Sequence, residues 1–445
     1  MRRFTILISL LMVLTILTAC AATPAAPAAE EQPTAAAPEA GAEKITLRFW
    51  SHQNPAFIAA NEALIAKFME ENPDIEIKYE QFPYDVFIQT LQTSMPAGTE
   101  ADVIEMFGTW VCSYAKGGRL AEVPEDIVSL AEAREVFFQA PLDGYVCDGK
   151  LYGLPNEFNI EYGGVLVNPV LFEEAGLAYP PKWDTWEELI ADAQRLVKTE
   201  GGQMTVAGFH FVTGDGLPFL FFSEVLQRGG DYWADDQVHL KFITPQGQEA
   251  LQFMVDLVQK YGVVDPVLFN GDTNWVGDAF FAGQVGIGFV GPWAAAEGLT
   301  QYPDMKFDYV AMPHHGDEPL FVADSGWGKV VSINSQHKDA AWKFAKFMTM
   351  NKENAEAWNV TTGTVPAIKS IAEERTILQK LTWIGPSLDI LPYGRYIGDV
   401  KDRDRLWYDI MYNHILAALQ GVETVDEALT AMEQEANAMI DEHIK

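Results

Sequence analysis

The chain is 445 residues long and carries 63 acidic against 30 basic side chains, a formal net charge of −33. Such a surface repels nucleic acid and anionic lipid and disfavours polyanionic ligands. With 48% hydrophobic and 12% aromatic residues the composition is that of a well-packed globular protein, and the length exceeds one usual core, so two lobes are expected.

In chain order, Arg2 and Arg3 open the sequence and residues 4–18 are almost wholly apolar. That run is too short and wrongly flanked for a spanning helix and reads as a secretion signal, residues 1–19. Leu17-Thr18-Ala19-Cys20 resembles the lipobox of bacterial lipoproteins, which implies cleavage before Cys20 and its acylation. Residues 20–43 are mostly Ala, Pro, Glu, Thr and Gln, lack apolar bulk, and read as an unfolded tether. Beyond Cys20 only Cys112 and Cys147 remain, either a disulfide of an extracytoplasmic protein or two buried thiols.

The body begins with a strand over residues 45–50. A helix opened by Asn54-Pro55 follows, with Phe57, Leu64, Ile65 and Phe68 inward and Pro73 as its stop. A strand over 75–79, a helix capped by Tyr84-Asp85 and running through Leu91, and a strand over 102–106 complete a β-α-β-α-β run, the mark of an α/β parallel sheet. Thr185 and Glu188 predict a capping box before Leu189, Ile190, Ala193, Leu196 and Val197. Thr244-Pro245 opens a further helix closed by Gly262, residues 284–290 read as a strand, and residues 338–350 as a helix. Two last helices are expected near 403–419 and 424–443, the second boxed by Thr424 and Glu427.

Several blocks carry a resemblance in the right order. They are Leu151-Tyr152-Gly153-Leu154-Pro155, Val165-Leu166-Val167-Asn168 leading into Leu171 through Leu177, and Pro180-Pro181-Lys182 with Trp186-Glu187-Glu188-Leu189. Phe280-Phe281-Ala282-Gly283 running to Gly291-Pro292-Trp293, Ala340-Ala341-Trp342-Lys343-Phe344 with Gly363-Thr364-Val365-Pro366, and Thr424 through Leu429 complete the set. Over about residues 44–445 the chain resembles the extracellular solute-binding proteins that serve ABC importers, in the branch typified by maltose-binding protein. It departs at Asn168-Pro169, where that family usually has Asn-Lys, and at Gln284, Gly286 and Ile287, where it usually has Lys and Ala-Met.

The resemblance implies an α/β, two-lobed, type II periplasmic-binding-protein fold with a central ligand cleft. Lobe 1 would comprise residues 44–156 plus 326–366 and lobe 2 residues 157–325 plus 367–445, with crossovers near 156–158, 323–327 and 366–371. It implies a lipid-anchored extracytoplasmic monomer that captures a carbohydrate and delivers it to an ABC permease, without catalysis, metal or cofactor. Alternatives are a lipid-anchored glycoside hydrolase or lyase, or the same receptor with a polyamine or glycerol phosphate as ligand.

Sugars present apolar faces and a rim of hydroxyls, so a site for them needs aromatic platforms beside planar polar groups. Trp50, Trp110, Trp275, Trp293 and Trp327 lie near strand ends or crossovers rather than at helical spacing, while Trp186 and Trp342 read as packing. Ser51, His52, Glu157, Asn159, Glu161, Tyr162, Gly326 and Arg395 are the accompanying candidates, Glu161 through its spacing to Asn168 in the resemblance. Gly286-Ile287-Gly288-Phe289-Val290-Gly291 matches a dinucleotide fingerprint in letters only, because the glycines fall within a strand-like run. The Asp324-Ser325-Gly326 run lacks the first glycine of a nucleophile elbow, and His314-His315 lacks metal-ligand spacing.

Overall fold

The computed structural model describes residues 44–211, 216–269 and 277–444. The signal segment, the tether, Cys20 and Trp275 lie outside the described residues.

The strands, in chain order, are β1 Ile45–His52, β2 Ile75–Phe82, β3 Val103–Phe107, β4 Val146–Cys147, β5 Lys150–Leu151, β6 Gly153–Pro155, β7 Val165–Val167, β8 Lys198–Glu200, β9 Gln203–Phe211, β10 Val285–Phe289, β11 Asp308–Val310, β12 Phe321–Ala323, β13 Trp327–Val331 and β14 Gly394–Tyr396. They make two five-stranded sheets, ordered β2-β1-β3-β13-β6 and β11-β7-β10-β9-β8. In the first, β1 pairs in parallel with β2 along its whole length and with β3. The return strand β13 lies antiparallel between β3 and β6. In the second, β10 runs parallel to β9 and antiparallel to β7. β12 and β14 form a separate parallel pair.

The helix Pro55–Glu71 starts where it should: the Asn54 side chain accepts from the Ala56 and Phe57 N–H groups and Pro55 fills the first turn. It lays Phe57, Leu64, Ile65 and Phe68 on the first sheet. The Thr185–Glu188 capping box is present at the head of the helix Trp186–Leu196, and Thr244 caps Pro245–Gln259. Cys112 and Cys147 are joined in a disulfide with a Cα–Cα distance of 5.4 Å.

Three local expectations are corrected. β1 runs two residues beyond Trp50, because the full register with β2 carries it to His52. Tyr84-Asp85 does not cap its helix. Both residues lie inside Tyr84–Ala97, whose start has no side-chain cap and whose end, past Leu91, is set by Gly98 in the left-handed conformation. The expected helix over 403–419 contains a π-helical stretch, Arg405–Met411, before the α-helix Tyr412–Leu419. The sequence reading contains no helix over Gly216–Gln227: every residue in it is buried, and its polar Ser223, Glu224 and Gln227 are bonded inside the protein rather than forming an exposed face.

Candidate ligand site

The first sheet's topology gathers one aromatic group. His52 ends β1, Phe107 ends β3, and Trp327 begins the antiparallel β13 directly opposite Phe107 in the ladder. The His52 and Trp327 rings stack at 4.2 Å with 21° between planes. Phe107 and Trp110 meet Trp327 edge-on at 5.2 and 5.5 Å. Tyr84, the first residue of its helix, lies 6.4 Å from both indoles and is 42% exposed. Trp110 and Trp327 are half-buried, so each joins the core while presenting surface.

Beneath this layer lies a buried charge network. Glu105 and Lys329, both 0% exposed, pair at 2.9 Å. Glu105 also lies 3.0 Å from His52 Nδ1 and accepts from Asn61 at 3.3 Å, and Lys329 donates to Asn156 at 2.8 Å. Burial alone would push the Glu105 carboxyl up; the Lys329 charge and the His52 contact outweigh it and hold it down at about 2.

Three chain segments converge behind Trp327. The Asn156 N–H donates to the Trp327 carbonyl at 2.9 Å, Asn159 N–H to Ser325 at 3.1 Å, and Phe158 N–H to Val365 at 2.9 Å. Gly326 has φ +117°, and a Cβ on it would sit 2.9 Å from the Glu157 carbonyl oxygen, so the junction requires glycine. The Trp327 N–H donates to Glu157 Oε1 at 3.1 Å. Burial pushes the Glu157 carboxyl up to about 8, with the Trp327 N–H opposing and Glu105 adding to the rise. It therefore carries its proton at neutral pH. A carboxyl raised in the folded state loses stability as pH climbs from its ordinary 4.5 toward 8. Glu157→Gln cannot ionise and keeps the acceptor, so it is expected to be more stable than wild type at pH 8 and closer to it at pH 5 in urea denaturation. Parallel pH profiles for the two proteins would contradict this.

Beside the second sheet, Glu161 orders another indole. Its Oε2 accepts from Gly291 N–H at 3.0 Å and its Oε1 from Trp293 Nε1 at 2.8 Å. Gly291 is needed there, since a Cβ would fall 2.3 Å from the Ile160 carbonyl oxygen. Trp293 is half-buried and begins the helix Trp293–Gln301.

Other expected positions sit differently. Trp50 is 4% exposed, with its Nε1 donating to Glu80 at 2.7 Å, Arg48 over its ring and Phe82 at its edge. As a mid-strand residue paired with β2 it is packed on both sides. Ser51 is buried and shares a 2.6 Å hydrogen bond with the Tyr79 hydroxyl. Tyr162 is buried, its hydroxyl 3.2 Å from both Glu224 and Gln227. Arg395, on β14, is exposed and bridges to Asp231 at 2.9 Å. Asn159 is half-buried and is held through its backbone. Trp186 and Trp342 are core residues.

Sequence reasoning missed Arg403 and Asp324. Asp324, fully buried just before the 325–327 loop, pairs with Arg403. The Arg403 guanidinium lies 5.9 Å from the Phe107 ring and 4.6 Å from Trp407, tying the C-terminal segment to the aromatic group. The only trace in the sequence is one cation within Asp402-Arg403-Asp404. A separate surface concavity of ≈ 960 Å³ opens between the helices Trp186–Leu196 and Pro245–Gln259. Its Arg228 and His315 are both engaged by buried Glu224, and Trp186 lines it, whereas Trp50, Trp110, Trp293 and Trp327 do not. Among the described residues no cluster of three or more acidic, His or Cys side chains is arranged to hold a metal.

Two mixed sheets packed with helices, with a return strand inserted in the first and aromatic and charged side chains gathered at its strand ends, define the type II periplasmic-binding-protein fold. The chain belongs to the bacterial extracellular solute-binding proteins, whose family model matches residues 54–355. It is similar to a binding protein of Brucella abortus, 27% identical over 323 residues that cover 71% of this chain and 73% of that one. It is also similar to the maltotriose-binding protein of Pyrococcus abyssi, 23% identical over 76% of this chain and 70% of that one. The cyclic alpha-maltosyl-1,6-maltose binding protein from Arthrobacter globiformis superposes with a TM-score of 0.74 at 26% identity, covering 90% of this chain and all of that one. The family is one of extracellular binding proteins, and no helix among the described residues is long and apolar enough to cross a membrane.

Proposed function

We propose that the protein is the receptor of an ABC importer and captures an uncharged oligosaccharide between two hinged lobes, residues 44–156 plus 326–366 and residues 157–325 plus 367–445. The observation that carries this reading is the set of half-buried indoles, Trp110, Trp293 and Trp327, with the Trp293 indole held by the Glu161 carboxylate and the Trp327 main chain by the Glu157 carboxyl. Flat, partly exposed indoles suit the apolar faces of sugar rings. The names of the Pyrococcus and Arthrobacter proteins point to the same ligand class. A polyamine would want free carboxylates, whereas Glu157 is buried and Glu161 is bonded to two donors. Ligand binds the closed form better and shifts the population toward it, and the permease receives that form. A lipid on Cys20 holds the protein at the membrane.

The test is thermal shift with mannitol, maltose, maltotriose and a cyclic maltosyl tetrasaccharide, with product analysis on the same samples. Ligand at a hundred times its dissociation constant stabilises by about 2.7 kcal/mol. A shift without turnover is expected; steady sugar release would identify a hydrolase instead, and no shift with any sugar would end the proposal.

A further inference from the structure

His52 occupies a specific position in the aromatic group. Its ring has Trp327 stacked on it at 4.2 Å, Phe57 at 5.2 Å, Tyr84 at 6.1 Å and Phe87 at 6.4 Å. It is 7% exposed, too enclosed to be a broad contact surface itself. Its Nδ1 faces Glu105 Oε1 at 3.0 Å, and Glu105 is in turn held by Lys329 and Asn61. The ring neighbours named above are aromatic, and the Glu105 carboxylate lies at ion-pair distance from the edge of the imidazole. A phenyl ring would fill the same space without that contact to the carboxylate.

We propose that His52 is a positioning residue rather than a ligand contact: the buried Glu105–Lys329 pair fixes the imidazole, and the imidazole fixes the tilt of the Trp327 indole that meets the sugar. The Trp327 main chain is already set by its bond to Glu157. The stack supplies what that bond cannot, the angle of the side chain. A chain of buried charge, imidazole and indole thus transfers order from the core to the binding surface, as supporting residues do around other binding groups. The proposal rests on the sugar-receptor reading.

The experiment compares wild type, His52→Ala, His52→Gln, His52→Phe and Trp327→Phe. Trp110 and Trp327 lie 5.5 Å apart at 84°, close enough for an exciton couplet in circular dichroism, and the Trp327→Phe difference spectrum identifies it. In His52→Ala and His52→Gln the couplet is expected to change and affinity for maltotriose, or for the panel sugar giving the largest shift, to fall about tenfold by calorimetry. His52→Phe keeps the flat ring but not the Glu105 contact, so its couplet and affinity are expected to fall between those of His52→Gln and wild type; full recovery would overturn the role given to the Glu105–Lys329 pair. His52→Gln keeps a donor for Glu105, so a fold defect in His52→Ala alone cannot mimic the result. An unaltered couplet overturns the proposal, as does an altered couplet with unaltered affinity. Wild-type protein that binds no sugar overturns the receptor reading instead, and the couplet still decides whether His52 orients Trp327.

Discussion

Trp293→Ala is expected to abolish the sugar-induced thermal shift while leaving the protein folded. The indole is half-buried at the start of its helix, so its removal opens a partly solvated space rather than a core cavity. Glu161 loses one donor and keeps the Gly291 N–H at 3.0 Å. Binding has no such reserve. Central aromatic anchors at recognition surfaces contribute about 2 kcal/mol or more, a loss of at least about thirtyfold in affinity. Trp293→Phe should fall between, because it keeps an aromatic face but gives up the hydrogen bond that sets its angle. Calorimetry and far-ultraviolet circular dichroism on the three proteins separate loss of binding from loss of fold. If the alanine variant retains wild-type affinity, Trp293 is not a platform.

Lys329→Met carries the largest expected stability effect. It strands Glu105 as a charge with 0% exposure and removes a partner at 2.9 Å. Breaking a buried pair from one side costs about 3–5 kcal/mol, whereas replacing both partners with neutral groups is often near neutral. The double variant Glu105→Gln with Lys329→Met is therefore expected to recover most of the loss in urea denaturation. The pair also sets an acid limit. Burial raises Glu105, Lys329 and His52 together outweigh it, and the folded carboxyl sits at about 2 against an ordinary 4.5. A depressed carboxylate stabilises above its unfolded pKa, and that contribution is lost as pH falls from about 4.5 to about 2. Glu105→Gln should shed this part of the acid sensitivity. A double variant no better than the single one would mean that the cost lies in packing around Lys329, not in the unpaired charge.

The first three strands and the helices between them are legible because their signals are local: alternation for strands, a 3.6-residue period for helices, Asn54-Pro55 and the Thr185–Glu188 box for helix starts. The π-helical stretch Arg405–Met411 and the fully buried helix Gly216–Gln227 carry no such mark. Among the candidate residues, Trp50 and Trp327 look alike in one dimension, each at an apparent strand end. Pairing separates them: Glu80, thirty residues on, seals Trp50, while His52 and Glu157 brace Trp327 and leave it half-buried.

Composition, the family blocks and the capping residues were enough to state the fold class, the acidic surface and most of the helix starts, since each depends on neighbours within a few positions or on sums over the chain. The charge network did not follow from them. Glu105 and Lys329 are 224 positions apart, Glu157 and Trp327 170, and Asp324 and Arg403 79. No local pattern marks which of 63 carboxylates is buried against which cation. That choice is made when β13 inserts between β3 and β6 and desolvates Lys329 beside Glu105, because only there does an unpaired charge become too costly to leave.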